Sequence, residues 1–461
     1  MTTAVVLFTS DLRLHDHPPL CAALARHDRI VPLFVRDRGI ADAGFDVPNR
    51  RAFLADCLAD LDDGLHARGG HLVVRSGDVV EEVCEVAREA DAAEVHMAAG
   101  VSGYARTREE RLGVALGERG LGLAVHDAVV TAVPPGAVVP TGSAGADHFA
   151  VFTPYARRWA QESLRSPLHA PRSVTVPDGV RTEEVPARDE VAGVSPALAR
   201  GGEKTGRRRM NAWLRGPVGA YEDQHDDLAG DSTSRLSPHL HFGTLSAAEV
   251  VHRARRVGGA GADAFVRQVC WRDFHHQVLA ARPAAADHNY RDKGDSWRTE
   301  EEAGCEVEAW RSGLTGYPVV DAAMRQLRHE GWMHNRGRLL TASFLAKTLY
   351  VDWRVGARHF LDLLVDGDVA NNQLNWQWVA GTGNDTRPNR VLNPVRQALR
   401  YDPGGSYVRR WVPELAGLEG AAVHEPWKLP ARERATYDYP EPIVALDDGL
   451  ARFRQARGLA D

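Results

Sequence analysis

The sequence predicts an α/β domain followed by an all-helical domain, and three observations lead there. At 461 residues the chain is too long for one compact core. Its first 130 residues alternate short β-rich runs with helical patterns, which implies a parallel sheet covered by helices. Beyond Met210 strand signals vanish and helical patterns follow one another. The expected fold class is α/β plus all-α: a Rossmann-like parallel-sheet domain at 1–130, a long connector at 131–205 and a helical domain at 206–461.

In chain order, Ala4–Phe8, Ile30–Val35, His71–Val74, Glu94–Met97 and Leu123–Ala128 read as strands. Pro18–Arg26, Asn49–Arg68, Val79–Ala90 and Ala105–Arg119 read as the helices between them. No G-x-G-x-x-G follows the first strand; Thr9-Ser10-Asp11-Leu12-Arg13 stands there instead, so a dinucleotide in the usual Rossmann position is not expected. From Pro134 to about Arg209 the composition shifts to Pro, Gly, Ser and charge, which reads as a surface connector with a short helix at Pro154–Leu164. The clearest later helices are Ala247–Arg256, Ala262–Ala281, Pro318–Glu330, Arg338–Leu349 and Arg354–Leu364.

Composition narrows the class. Five scattered cysteines (Cys21, Cys57, Cys84, Cys270, Cys305) with no C-x-x-C pair argue for reduced thiols and against a disulfide framework or zinc site; no metal is expected. The N-terminus lacks a basic n-region and no stretch approaches the roughly 18 apolar residues of a membrane span, so a cytoplasmic chain is expected. Net charge is −6, but it is uneven: residues 1–200 hold 21 Arg and no Lys against 28 acidic residues, and the remainder carries a net +1. A DNA-binding surface would have to be a local patch on the second half.

Seven of the eleven tryptophans fall between Trp271 and Trp378, beside Asp366-Gly367-Asp368 and Asn371-Asn372. Indoles stack on flat rings and carry electrons, so this crowding reads as a redox cofactor site that meets an aromatic substrate. Each motif also has a plainer use. Thr233-Ser234-Arg235-Leu236-Ser237-Pro238 offers hydroxyls and free N–H groups to an anion at a helix start, or is simply an N-cap with proline in the first turn. Asp366-Gly367-Asp368 followed by Asn371-Asn372 is a turn with Asx caps, or a set of carboxylates and amides for the polar edge of an isoalloxazine, with Arg338 neutralising one aspartate. Gln268, Trp271 and Arg272 share one helix face; a tryptophan there is usually core, but amide, indole and guanidinium together suit a polar aromatic ligand.

Taken together, these segments resemble the photolyase/cryptochrome family over nearly the whole chain. The likeness starts at Thr9-Ser10-Asp11-Leu12-Arg13-Leu14-His15-Asp16 and runs through Thr233–Ser237, Cys270–Phe274, Thr315–Ala322, Gly331–Arg336, Asp366–Asn372 and Trp376–Trp378. Within the family it is similar to bacterial cyclobutane pyrimidine dimer photolyases of actinobacterial type, and 52 Arg against 4 Lys agrees with a GC-rich genome. The resemblance implies that the helical domain binds FAD, active when reduced, and that the partner is ultraviolet-damaged DNA, met by a monomer. By it, Tyr221, Thr233, Ser234, Arg235, Leu236 and Ser237 hold the FAD phosphates and ribityl chain. Asp366, Gly367 and Asp368 line the flavin, Arg338 pairs with Asp366, and Asn372 lies beside flavin N5. Trp376, Trp353 and Trp297 match the electron chain to the surface. Gln268, Trp271, Arg272, Asn335, Arg336, Trp378 and Gln397 match the lesion and DNA contacts.

Two departures from the family pattern bear on substrate and antenna. Gln268 stands where bacterial dimer photolyases usually carry Glu, which keeps a (6-4) photolyase open; a non-repairing cryptochrome-type receptor is the other alternative. However, (6-4) photolyases carry a His-His pair where this chain has His334-Asn335, and asparagine cannot protonate the lesion, so the dimer is favoured. Ala98–Tyr104 replaces N-x-D-x-x-P-Y near the antenna chromophore. An 8-hydroxy-5-deazaflavin near Phe34–Asp37 and Arg50 is expected, with methenyltetrahydrofolate as the second choice.

Overall fold

The computed structural model describes residues 1–141 and 146–459. The chain divides into two compact units, one formed by Met1–Val194, Ala199–Glu222 and Ser234–Pro283, the other by Ser195–Leu198, Asp223–Thr233 and Ala284–Asp461.

The first unit is built on five parallel strands, β1 (Thr3–Phe8), β2 (Arg29–Asp37), β3 (Val73–Gly77), β4 (Ala92–Ala98) and β5 (Gly122–His126), in the order β3-β2-β1-β4-β5. Every residue of β1 is buried, as a central strand covered on both faces requires. Crossover helices Pro18–Arg26, Pro48–His66, Val79–Glu89 and Gly103–Gly117 match the expected alternation. The third strand lies further along than His71–Val74 because Arg75 belongs to it. Arg75 is buried and paired with Glu89, so a charged residue sits where an apolar run would have been sought.

Asp11-Leu12-Arg13 turns out to be a structural lattice. The fully buried Arg13 guanidinium donates to the carbonyls of His15, Asp16, Val129 and Gly243. Asp11 pairs with the buried His17 at 2.9 Å, and Asp16 with Arg165 of the connector. Gly243 has a positive φ, and a Cβ there would overlap the Ser10 backbone, so only glycine allows this loop to approach β1. The connector is not loose: Val174 donates to the Arg68 carbonyl and Glu183 to that of Val74, both at 2.9 Å. The helix expected there at Pro154–Leu164 runs instead over Phe152–Trp159, which buries Phe152, Tyr155 and Trp159 on one face.

Helices Ala247–Val257 and Ala260–Ala281 also belong to this unit. Glu203–Arg215, a charged helix with few apolar positions, was not expected from the sequence.

The second unit is helical, with Gly304–Ser312, Pro318–Glu330, Asn335–Ser343, Trp353–Leu363 and Val369–Ala380 around a core that includes Trp310, Trp353, Phe360 and Trp376. Its one pairing of strand type among the described residues is the isolated bridge between Arg298 and Val351. The helix expected at Arg338–Leu349 is corrected. It starts at Asn335, capped by the His334 ring accepting from Arg336 N, and gives way at Phe344–Thr348 to a π-turn closed by Leu349 N to Phe344 O at 2.9 Å.

That π-turn carries Lys347, the one buried lysine of four. Its ammonium donates to the carbonyls of Pro388 (2.8 Å) and Arg390 (2.6 Å), and burial pushes its pKa down to about 7. Between about 7 and the unfolded value near 10.4 the unfolded chain holds a proton that the folded chain does not. Stability therefore rises with pH across that window, by at most roughly 1.4 kcal/mol per unit. Urea unfolding at both ends of the window should show the rise, and Lys347→Met should flatten it. An equal slope in the variant would remove Lys347 as its source.

Candidate flavin and lesion site

In the first unit, Tyr221 is held edge-on between Trp213 (5.5 Å) and Phe265 (5.9 Å). Arg235 takes a left-handed conformation (φ 50°), which turns the chain sharply. Ser234 Oγ accepts from Leu236 N at 3.3 Å, and the Ser234 carbonyl accepts from Arg209 Nε at 2.9 Å. Leu236 is buried as the anchor, and Ser237-Pro238 open the helix Ser237–His241. Five residues sum little macrodipole, so anion binding here would rest on hydroxyls and local N–H groups. Burial pushes the neighbouring His239 down to about 4, so that imidazole stays neutral.

Helix Ala260–Ala281 presents Gln268, exposed, one turn before Trp271. One face of Trp271 is already covered: Phe152 stacks on it at 3.6 Å and 6°. Arg267 in turn lies over the Phe152 ring at 5.0 Å. The indole is thus clamped at a fixed angle with its edges against Phe274 and His275. Phe152 was missed by sequence reasoning, since nothing in the connector marks it.

Arg272 does not join Gln268 and Trp271 at the surface. Its guanidinium donates to the carbonyls of Val130 (2.8 Å) and Leu240 (3.1 Å), a tie within the unit. The adjacent Asp273, also missed, is fully buried and accepts from Ala132 N, Val133 N and Trp159 Nε1 at 2.9–3.0 Å, while burial pushes its carboxyl upward.

In the second unit, Asp366 is 3% exposed and accepts from Arg338 Nη2 at 2.8 and 3.1 Å. Arg338 Nε also donates to the Met333 carbonyl, which fixes the fork. Gly367 is buried in the turn closed by Asp368 N to Asp366 O at 2.7 Å. Asp368 then caps helix Val369–Ala380, accepting from Asn371 N at 2.7 Å. Asn372 directs its amide N–H groups to the Ala357 carbonyl and Gln373 Oε1, so its orientation is set by neighbours. The segment thus makes the Asx cap that its plainer use predicts. Thr233 Oγ1 is buried with no hydrogen-bond partner among the described residues, as a hydroxyl kept for a ligand oxygen would be.

Helix Val369–Ala380 carries both Trp376 and Trp378. Trp376 is buried edge-on against Phe360 (5.0 Å) and Trp310 (6.1 Å), whereas Trp378 is partly buried on the same core. Trp353 is fully buried and donates from Nε1 to Asn289 Oδ1 at 2.9 Å. Trp297 lies partly buried at the core margin, because the Arg298–Val351 bridge holds its strand beside the segment that leads to Trp353. Asn335 is exposed at a helix start. Arg336 pairs with Asp226 at 2.5 Å and stacks over Tyr401 at 4.3 Å, and Gln397 Oε1 lacks a partner among the described residues.

Residues 265–457 match the family described as the FAD binding domain of DNA photolyase, and residues 4–173 match the DNA photolyase family. The chain is 66% identical to the deoxyribodipyrimidine photo-lyase of Streptomyces griseus, with 100% of both chains covered. Among solved structures, a bacterial class III photolyase from Agrobacterium tumefaciens is 32% identical with a TM-score of 0.91, covering 99% of this chain and 97% of that one. The cryptochrome of Synechocystis is 30% identical with a TM-score of 0.90, covering 99% of each chain. Full-length likeness at this level, with both halves matched in order, leads to one conclusion: the chain belongs to the photolyase/cryptochrome family.

Proposed function

We propose that this protein is a deoxyribodipyrimidine photo-lyase, which repairs ultraviolet-induced cyclobutane pyrimidine dimers in DNA with light absorbed by reduced FAD. The observation that carries the reading is the Asp366–Asn372 segment, with its buried, arginine-paired carboxylate and its immobilised amide, in a chain so similar to a protein of that name. When bound and reduced, the flavin supplies the photoexcited electron that splits the two cyclobutane bonds. The chain's own residues do the rest. Asp366 and Arg338 fix the polar flavin edge, and Thr233 with Ser234–Ser237 hold the phosphate arm. Asn372 would offer the flavin an amide, which cannot release a proton as a carboxylic acid can. Trp376, Trp353 and Trp297 form the path that reduces oxidised flavin.

Trp271 and Trp378 give the flipped lesion apolar surfaces, and Gln268, Asn335, Arg336 and Gln397 give it polar contacts. Arg272 acts as a support for that helix. Gln268 lends a neutral hydrogen bond in place of a shared proton, so its electrostatic help is smaller than that of a carboxylic acid. The same glutamine is the feature that favours the second reading, a (6-4) photolyase.

In this reading residues 1–130 form the antenna domain, 131–205 the connector and 206–461 the catalytic FAD domain. The antenna is an 8-hydroxy-5-deazaflavin near Phe34–Asp37 and Arg50, or else methenyltetrahydrofolate. Support is local: Arg50 is buried with its guanidinium on the Phe45 carbonyl and ring, and Tyr104 donates to Asp37. No helix among the described residues is long and apolar enough to cross a membrane, and a cytoplasmic monomer is the state we infer.

The deciding experiment is an absorption spectrum of the purified protein, followed by light-dependent repair of oligonucleotides bearing either lesion. Dimer repair alone is expected. Repair of the (6-4) product would establish the second reading, and bound FAD with neither repaired would establish a receptor. Trp271→Ala should weaken dimer binding by about 1–3 kcal/mol in a gel-shift titration, the range for losing an aromatic–base stack. Phe152→Ala should reproduce part of that loss through the freed indole, and unchanged affinity in both would refute the clamp. Binding should also weaken with salt.

A further inference from the structure

At the N-terminal end of β4, three metal-ligand side chains converge. Glu94 and His96, two apart on one face of the strand, meet His27, which follows the helix Pro18–Arg26. Glu94 Oε2 lies 3.2 Å from His27 Nε2 and 3.1 Å from His96 Nε2, and the three ligand atoms lie within 4.8 Å of one another. The edge of a tetrahedron with zinc-like bonds of about 2.0–2.1 Å is roughly 3.3 Å, so these separations suit one shared ion. The His27 and His96 rings stand edge to face at 81°, both aiming Nε2 at the same oxygen.

We propose that His27, Glu94 and His96 bind a divalent transition-metal ion, zinc being the best fit to two imidazoles and one carboxylate. Hydrogen bonding alone would run as a relay from His126 through His96 to Glu94, whereas a bound ion would use the same second layer to hold its ligand. His96 Nδ1 is 3.0 Å from His126 Nε2 on β5, with the rings stacked at 19°. A ligating imidazole normally donates its other N–H to a fixed acceptor, and His126 Nε2 is placed to accept it. The ligand side chains are 8%, 15% and 1% exposed for His27, Glu94 and His96, dry enough for a firm site yet open on the side of Arg26. Arg26, 62% exposed and 3.2 Å from the other carboxylate oxygen, is free to swing out as the cation enters. Two neutral imidazoles and one carboxylate leave the ion a position for water.

The test uses the FAD-loaded, full-length protein after chelator treatment, titrated with Zn²⁺ alone by calorimetry, and with Co²⁺ followed by visible absorption. One equivalent of Zn²⁺ and the intense bands of tetrahedral Co²⁺ are expected. Glu94→Gln and His27→Gln should each weaken uptake by more than tenfold, and His126→Phe by about tenfold, the usual cost of losing a ligand's outer partner. Flavin absorbance of each variant should equal that of the parent, which separates loss of the site from loss of the fold. His27, at the margin of the sheet, decides the matter if Glu94→Gln does not fold. Absence of stoichiometric uptake by the parent, or equal uptake by His27→Gln, overturns the site and leaves only a histidine–glutamate hydrogen-bond relay.

Discussion

Replacement of Trp376 by Phe is expected to stop light-driven reduction of oxidised flavin while sparing dimer repair by enzyme reduced beforehand. The two activities would separate because repair needs only flavin that is already reduced, whereas the tryptophans would be needed to bring in an electron from an external donor. Of the three tryptophans proposed to lead there, Trp376 shares its helix with Asn372, one turn away. Phenylalanine keeps most of the shape and removes the ring that is easiest to oxidise. The indole Nε1 is buried without a partner among the described residues, so no hydrogen bond is lost. The stability cost should stay on the order of 1 kcal/mol.

Photoreduction, followed as bleaching of the oxidised flavin under blue light with an external reductant, should slow by more than about an order of magnitude, since a route lost outright has no partial substitute. Gly356→Ala offers an independent check without touching the indole chemically. A Cβ there would overlap the Trp376 ring and approach Leu345 Cδ2 to 2.6 Å, so the ring must move. Should Trp376→Phe photoreduce at the parental rate, the path runs elsewhere, and the neighbouring Trp310 becomes the first residue to replace.

Much of this could be read from the sequence, for identifiable reasons. The helix Pro18–Arg26 is bounded as expected because proline marks its first turn. β1 is legible because a fully buried parallel strand is a continuous apolar run. The third strand was misplaced because Arg75 is buried against Glu89, and a one-dimensional pattern cannot see a partner fourteen residues away. The π-turn at Phe344–Thr348 escaped for a similar reason: its periodicity differs from an α-helix by one residue, and it is held by tertiary contacts of Lys347 with distant carbonyls.

Among the functional residues, side chains whose partners are near in sequence were legible, as Asp368 capping Asn371 shows. Those fixed by distant partners were not. Phe152 meets Trp271 across 119 residues of chain, and Arg272 turns inward to a carbonyl 142 residues away. Chemistry-bearing residue types can be found by eye, but whether a guanidinium faces a ligand or its own backbone is decided by packing alone.

The Arg338–Asp366 pair should prove strongly asymmetric when cut from either side. Asp366 is 3% exposed and Arg338 25%, so the carboxylate depends on the arginine far more than the reverse. Arg338→Leu strands a buried anion, and such truncations cost about 3–5 kcal/mol. Asp366→Asn removes the charge that needed a partner and leaves an arginine able to reach water and the Met333 carbonyl, so its cost should be near 1 kcal/mol. Urea unfolding of the flavin-free protein measures the difference. Flavin content then separates architecture from ligand contact: if Asp366 lines the flavin, Asp366→Asn must lose FAD affinity well beyond its small loss of stability. A variant that melts slightly lower yet holds FAD as tightly as the parent would make the pair a structural brace only. Equal destabilisation from both sides would mean that water reaches the carboxylate, and the site would then lack the dry, fixed charge proposed to position the flavin edge.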